Sequence, residues 1–354
     1  MNKYVKRYLV DAMSGMAQGL FASLLIGTII KTLGQQLVRL SDNQIFQFLI
    51  KAGNFATESH VVGAAMAIGI GFAMGVPALV LFSLAVVGAA ANVTGGAGGP
   101  LAVLFIAIIA AECGRLVSKK TKVDIIVTPL VTIIVGSILT VLFAKYIGDA
   151  ASSIGKLVIW STQLRPFLMG MLVSVVIGLA LTLPISSAAI CAAFSLTGLA
   201  GGAAVAGCCA QMVGFAILSF RENKWSGLLS QGLGTSMLQM PNIIKNPRIW
   251  IPPTLASLIT GPIATCVFKM EMNGAAVSSG MGTCGLVGQI GVITGWFNPS
   301  DAAIANGAST LNPALFDWLG VILICFILPG LLSYLFGLIC RKLGWIKEDD
   351  LTLN

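Results

Sequence analysis

Charge is what this chain of 354 residues has least of: Asp, Glu, Lys and Arg make up only 10%. Residues 166–220 contain none of the four, and neither do residues 61–111. A soluble core does not stay charge-free for that long, whereas a helix crosses a bilayer with roughly 20 apolar residues. Each run is long enough for two or three crossings. Histidine is almost absent as well, His60 being the only one, and the eight cysteines form no CxxC pair. Zinc and iron–sulfur sites are therefore not expected, nor is any cofactor. The cysteines read as small buried apolar residues. No paired carboxylates and no Ser/His/Asp set point to hydrolysis, so the chain is not read as an enzyme. The Gly-rich stretch 95–99 lacks the Gly-Lys-Ser/Thr ending of a phosphate-cradling loop, and nucleotide binding is excluded.

What is present is apolar and finely punctuated. The chain is 56% hydrophobic with 41 glycines, a mixture suited to close helix packing in lipid. Further uncharged stretches cover 12–30, 125–144, 225–244, 249–268, 272–300 and 318–340. The expected fold is an all-α polytopic membrane protein of about ten transmembrane helices with re-entrant hairpins. The net charge of +8 sits in short clusters beside the spans: Lys3/Lys6/Arg7, Lys119/Lys120/Lys122, Arg221/Lys224, Lys245/Arg248 and Arg341/Lys342/Lys347. These mark cytoplasmic loops by the positive-inside rule and are not a nucleic-acid surface. Asp11 interrupts the N-terminal apolar run, so a retained first span with a cytoplasmic N-terminus is expected in place of a cleaved signal. At the other end the topology stays open. Counting spans puts the C-terminus outside, and the basic residues at 341–347 put it inside.

Punctuation locates the breaks. An amphipathic piece at 42–51 fits the membrane interface. Pro77 splits the run 61–111, and Thr94-Gly-Gly-Ala-Gly-Gly-Pro100 splits it again. The polar stretch 145–165 separates an N-terminal half, residues 1–150, from a C-terminal half, residues 166–345. Three segments in the second half are too polar for lipid-facing helices. Pro184-Ile-Ser-Ser-Ala188 opens either a re-entrant hairpin or a kinked helix, since irregular backbone at membrane depth must face protein or water. Gly232-Leu-Gly-Thr-Ser-Met-Leu-Gln-Met-Pro-Asn242 lies between two basic clusters and reads as a re-entrant loop, a usual place for a transporter site. The stretch 271–285 opens with Glu271, which reads either as a functional group or, with Lys269, as an interfacial cap at a helix end.

A neutral solute rich in hydroxyl groups needs side chains that donate and accept hydrogen bonds, which Asn, Gln, Ser and Thr provide. The candidates are Ser186, Ser187, Gln211, Thr235, Ser236, Gln239, Asn242, Asn273, Ser278 and Gln289, with 235–242 as the strongest cluster. Glu271 is the leading ionisable candidate, because an intramembrane carboxylate is a functional group by default. Each polar residue alone has the competing fate of bonding helix to helix. His60 beside Glu58 reads as a proton relay or an interface residue, and Glu112 as interfacial.

The stretch Thr235-Ser-Met-Leu-Gln-Met-Pro-Asn-Ile-Ile-Lys-Asn-Pro-Arg-Ile-Trp-Ile-Pro-Pro-Thr254 resembles a signature region of phosphotransferase-system permease components of the IIC-2 type. That branch includes proteins named as perfringolysin O regulator-like. The preceding Pro184-Ile-Ser-Ser and the region 274–285 fit the same resemblance, which covers most of the chain. It implies a fold like the glucose-superfamily IIC permeases: a scaffold and dimerisation half up to about residue 150, and a mobile substrate-binding half from about 166. It implies a homodimer in a bacterial cell membrane, carrying a sugar, polyol or organic acid. The chain departs from that pattern in two ways. No hydrophilic stretch is large enough for a soluble IIA or IIB domain, so phosphorylation would need a separate cytoplasmic IIB protein. The family's Gly-Ile-Thr-Glu motif is also missing, with Gln239, Asn242 or Glu271 as possible substitutes. The expected function is a membrane transporter for a small hydrophilic solute; the alternative is a membrane sensor or regulator that keeps the permease fold without transport.

Overall fold

A computed structural model describes residues 4, 6–40 and 43–353. Lys3 of the first basic cluster and Asp42 of the amphipathic piece lie outside them. The protein is 83% helical, and no strand occurs among the described residues. Two compact units divide it, Met1–Ala151 and Ser152–Asn354.

In the first unit, α1 (Lys6–Val38) is followed by α2 (Gln44–Thr57) and α3 (Ser59–Ala73), which meet at a 55° bend. Residues 44–51 of the amphipathic piece form the first half of α2. A turn at 74–77 ends at Pro77 and launches α4 (Ala78–Gly95). Gly96 then takes φ +51°, which breaks the helix before α5 (Gly99–Val117). Helix α1 packs on α3 where Gly15 and Gly69 bring the two backbones together, an approach that any side chain would block. Glu112 joins α1 to α5 by pairing with Arg7 at 3.0 Å, and it also pairs with Arg115 at 2.7 Å. His60 and Glu58 form an exposed pair at 3.0 Å. Helix α6 (Asp124–Thr162) carries the chain into the second unit.

The second unit is built around α9 (Gly198–Leu218). Its apolar window is 89% buried, against 22% for α6, so α9 is a core helix and α6 a peripheral one. Packed on α9 are α7 (Pro166–Thr182), α12 (Pro247–Val267) and α15 (Leu315–Lys342). Between these run short pieces: α8 (Ser187–Ala193), α10 (Phe220–Leu229), α11 (Met240–Lys245), α13 (Val287–Phe297) and α14 (Asp301–Ala305). Glycines on α9 set the contact distances. A Cβ on Gly207 would run into the backbone of Ser174 on α7, and one on Gly202 would run into the carbonyl of Met270. A core of Val205, Cys209, Met272, Val292, Trp296 and Ile324 lies beside α9.

Six helices are long and apolar enough to cross a membrane singly, and seven when the bent pair α2–α3 counts as one span. With the shorter apolar helices α7 and Cys284–Phe297, this is an all-α polytopic membrane protein. The tally falls short of about ten because α4–α5 and α6 each count once, although they are 40 and 39 residues long.

Candidate functional site

The segment after α12 is extended, and it pairs with the start of α9. Gly198 N–H donates to Met272 O at 3.1 Å, and Met272 N–H donates to Gly198 O at 3.0 Å. Extended backbone alternates its side chains. Met270 and Met272 enter the core, 5% and 0% exposed, so Glu271 and Asn273 fall on the opposite face, while Lys269 precedes the extended stretch at a turn of φ +46°. That face borders a cavity of about 600 Å³. Just past the end of α12, Met270 N–H donates to Ala264 O at 2.8 Å and closes the helix, so Lys269 serves as a helix end as well as lining the cavity beside Glu271.

Asn273 is the best-held group in this wall. Ser300 N–H donates to its carbonyl at 2.9 Å, and Ser300 Oγ donates to Gly274 O at 2.8 Å. Its side-chain Nδ2 donates to Glu271 Oε2 at 2.8 Å. Its Oδ1 is buried and has no hydrogen-bond partner. A buried acceptor left empty costs about 1–3 kcal/mol.

Aromatic residues, most of them from later in the chain, also line the cavity. Trp296 meets Trp318 edge-on, centroids 4.9 Å apart, and Phe268 stacks on Phe316 at 4.8 Å. Leu311 N–H donates to Trp296 O at 2.7 Å, tying the loop 306–314 back onto α13. Asp317 completes the rim, its Oδ2 accepting from Ala314 N–H at 2.8 Å. The cavity therefore combines two carboxylates, an ammonium, an unsatisfied amide oxygen and flat apolar rings, in the usual pattern of a small-molecule site. Donors, acceptors and ring faces together suit a hydroxyl-rich solute with apolar C–H faces.

The remaining sequence candidates lie elsewhere. Ser186 Oγ caps α8 by accepting from Ala189 N–H at 3.1 Å. Ser187 Oγ donates to Gly280 O at 2.7 Å. Ser278, 5% exposed, lies against Gly291. Gln211 is fully buried; it accepts from Trp250 Nε1 at 2.9 Å and from Thr182 Oγ1 at 3.3 Å. Ser236 and Thr182 share a hydrogen bond of 2.7 Å. These three contacts fasten α7, α9 and α12 to the turn at 236–239. Gln289 Nε2 lies 3.2 Å from Cys209 Sγ; with its amide reversed it donates to Gly282 O at 3.1 Å.

The 235–242 cluster is closed off by the C-terminal tail. Thr235 Oγ1 accepts from Met237 N–H at 3.2 Å. Gln239 Nε2 donates to Gln231 Oε1 and to Leu351 O, both at 2.9 Å. Asn242 Nδ2 donates to Gln239 Oε1 at 2.9 Å and to Thr352 O at 2.8 Å. Asn223 adds a bond to Leu351 O at 2.8 Å. A single cavity bounded by Ser186, Gln239, Asn242 and Glu271 is the sequence expectation; the cavity observed holds only Glu271 of these four. Sequence reasoning passed over Trp296, Phe316 and Asp317. Their signal was an aromatic cluster flanking the Asn/Pro/Gly-rich break at 298–313.

Among the described residues, no group of three or more His, Cys, Asp or Glu is placed to hold a metal ion. No curated protein and no solved structure matches the chain significantly. The family described as Phosphotransferase system, EIIC matches residues 10–353, nearly the whole sequence. The chain therefore belongs to that family, and it is a multi-pass membrane permease component of the phosphotransferase system.

Proposed function

We propose that this permease carries a neutral sugar or polyol across a bacterial cell membrane, and that the solute binds in the cavity at Glu271 and Asn273. The observation that carries the reading is the pair of Asn273 and Glu271, hydrogen-bonded to each other with Asn273 Oδ1 unpartnered, in the lining of a cavity that Trp296 and Phe316 share. A sugar hydroxyl supplies the missing donor, and Glu271 accepts from a second hydroxyl. Of the other sequence candidates, Ser186, Ser187, Gln211, Thr235, Ser236, Gln239, Asn242 and Ser278 hold the segments around the site. The unit from residue 152 onward moves as the transport half. The unit up to residue 151 serves as scaffold and dimer contact, with the N-terminus in the cytoplasm. Phosphorylation of the arriving solute falls to a separate IIB protein.

The test is thermal stabilisation of the purified protein against a panel of sugars, polyols and organic acids. A ligand at 100 times its Kd raises stability by about 2.7 kcal/mol. The expected result is a hit that Glu271→Gln and Asn273→Ala abolish and Gln239→Ala preserves. A hit lost only with Gln239→Ala would move the site to 235–242. Binding without flux in proteoliposomes would favour the sensor reading.

A further inference from the structure

A second, shallower groove of about 360 Å³ opens between the end of α9, α10 and α15. Its walls are Ile217, Leu218, Leu228, Leu338 and the rings of Trp225 and Tyr334. Trp225 is 70% exposed, although it packs edge-on against Phe220 at 5.5 Å. Tyr334 is 41% exposed. Trp225 lies seven residues past the end of α9, and exposed tryptophan just beyond a membrane helix marks headgroup depth.

Two guanidinium groups stand at this groove, and they differ. Arg341 is committed: it donates to Glu222 Oε1 at 2.8 Å and to Leu218 O at 3.3 Å. This pair neutralises Glu222, whose other oxygen is buried without a partner. Arg221 is exposed and has no hydrogen bond or ion pair among the described residues. Lys224 and Lys342, both exposed, flank the lining residues in sequence. The excess charge at the rim is positive and the floor is apolar. A soluble anion would use the rim alone, and a neutral lipid the floor alone.

We propose that this groove is a binding site for an anionic phospholipid, with an acyl chain against Leu228 and Leu338 and the phosphate at Arg221. Arginine binds phosphate through two parallel hydrogen bonds, and basic pockets between membrane helices select acidic headgroups. The site is separate from the Glu271 cavity and does not depend on what that cavity binds.

The test is native mass spectrometry and thermal unfolding of the detergent-purified protein with phosphatidylglycerol, phosphatidylcholine or glycerol 3-phosphate. Phosphatidylglycerol is expected to remain bound and to raise the melting temperature; the other two are expected to do neither. Arg221→Gln should weaken phosphatidylglycerol retention roughly fivefold, the effect of one basic residue at a membrane surface, and leave the lipid-free melting temperature unchanged. Leu338→Trp, which fills the floor, should remove the bound lipid while keeping Arg221. Equal retention of both lipids, a full shift from glycerol 3-phosphate alone, or unchanged lipid binding in Arg221→Gln would each overturn the proposal.

Discussion

Two amides of similar burial, Gln239 and Asn273, do opposite work. Gln239 spends both ends of its carboxamide on protein partners, and Asn273 leaves Oδ1 empty. Removing one partner of a satisfied buried bond strands the other, at about 1–3 kcal/mol. Gln239→Leu should therefore lower thermal stability by that order, because Leu351 O, Gln231 Oε1 and Asn242 Nδ2 all lose a partner. Asn273→Leu should change stability by less than about 1 kcal/mol, since it removes an unpaired acceptor along with one bond. Thermal unfolding of the two variants side by side separates these outcomes. Equal losses would mean that Asn273 is as structural as Gln239. The sequence marks both residues as polar groups in apolar surroundings, but it gives no sign of which one is satisfied. The partners of Gln239 and Asn242 lie 112 and 110 positions away in the chain.

Elements were the most legible part of this chain, because Pro and Gly act locally. Pro77 launches α4 and Gly96 ends it, by fixing φ and by letting it turn positive, with no help from distant residues. Pro184-Ile-Ser-Ser likewise gives a break followed by the short α8, capped by Ser186. The tail after α15 was not legible. Two of its apolar residues, Ile346 and Leu351, carry no periodic signal, yet they are 3% and 0% exposed. Burying such a side chain stabilises by about 1.5–3 kcal/mol. Truncation after residue 344 should thus lower the melting temperature sharply and speed amide exchange across 231–242. Unchanged exchange there would show that the tail merely rests on the segment. The extended stretch at 270–273 was equally hidden, since its pairing with Gly198 is made by backbone atoms.

On the scale of the whole molecule, unburied apolar surface is the remaining question. Ile126, Leu130, Ile134, Ile138 and Leu142 recur every fourth residue along α6, and all are exposed. That spacing makes one continuous stripe on a helix. Lipid satisfies such a stripe, and so does the same stripe on a second copy. If the proposed homodimer forms here, Ile134→Cys oxidised in native membranes should give a band near twice 36.7 kDa that the parent protein lacks. The eight native cysteines are all free, and six of them are buried, which keeps the background low. Absence of the band would place the dimer contact on another face. The charge-free runs of the sequence predict a membrane protein but cannot distinguish lipid contact from a copy of the chain, because both reward the same side chains.

The strap of the tail over Asn223, Gln239 and Asn242 also bears on how the protein is made. These three carboxamides reach the membrane well before the residues that satisfy them are synthesised. For that interval the second unit has its helices but not its closure. A nascent chain stalled before residue 351 should accordingly be a better substrate for membrane quality-control proteases than one that has already passed residue 353.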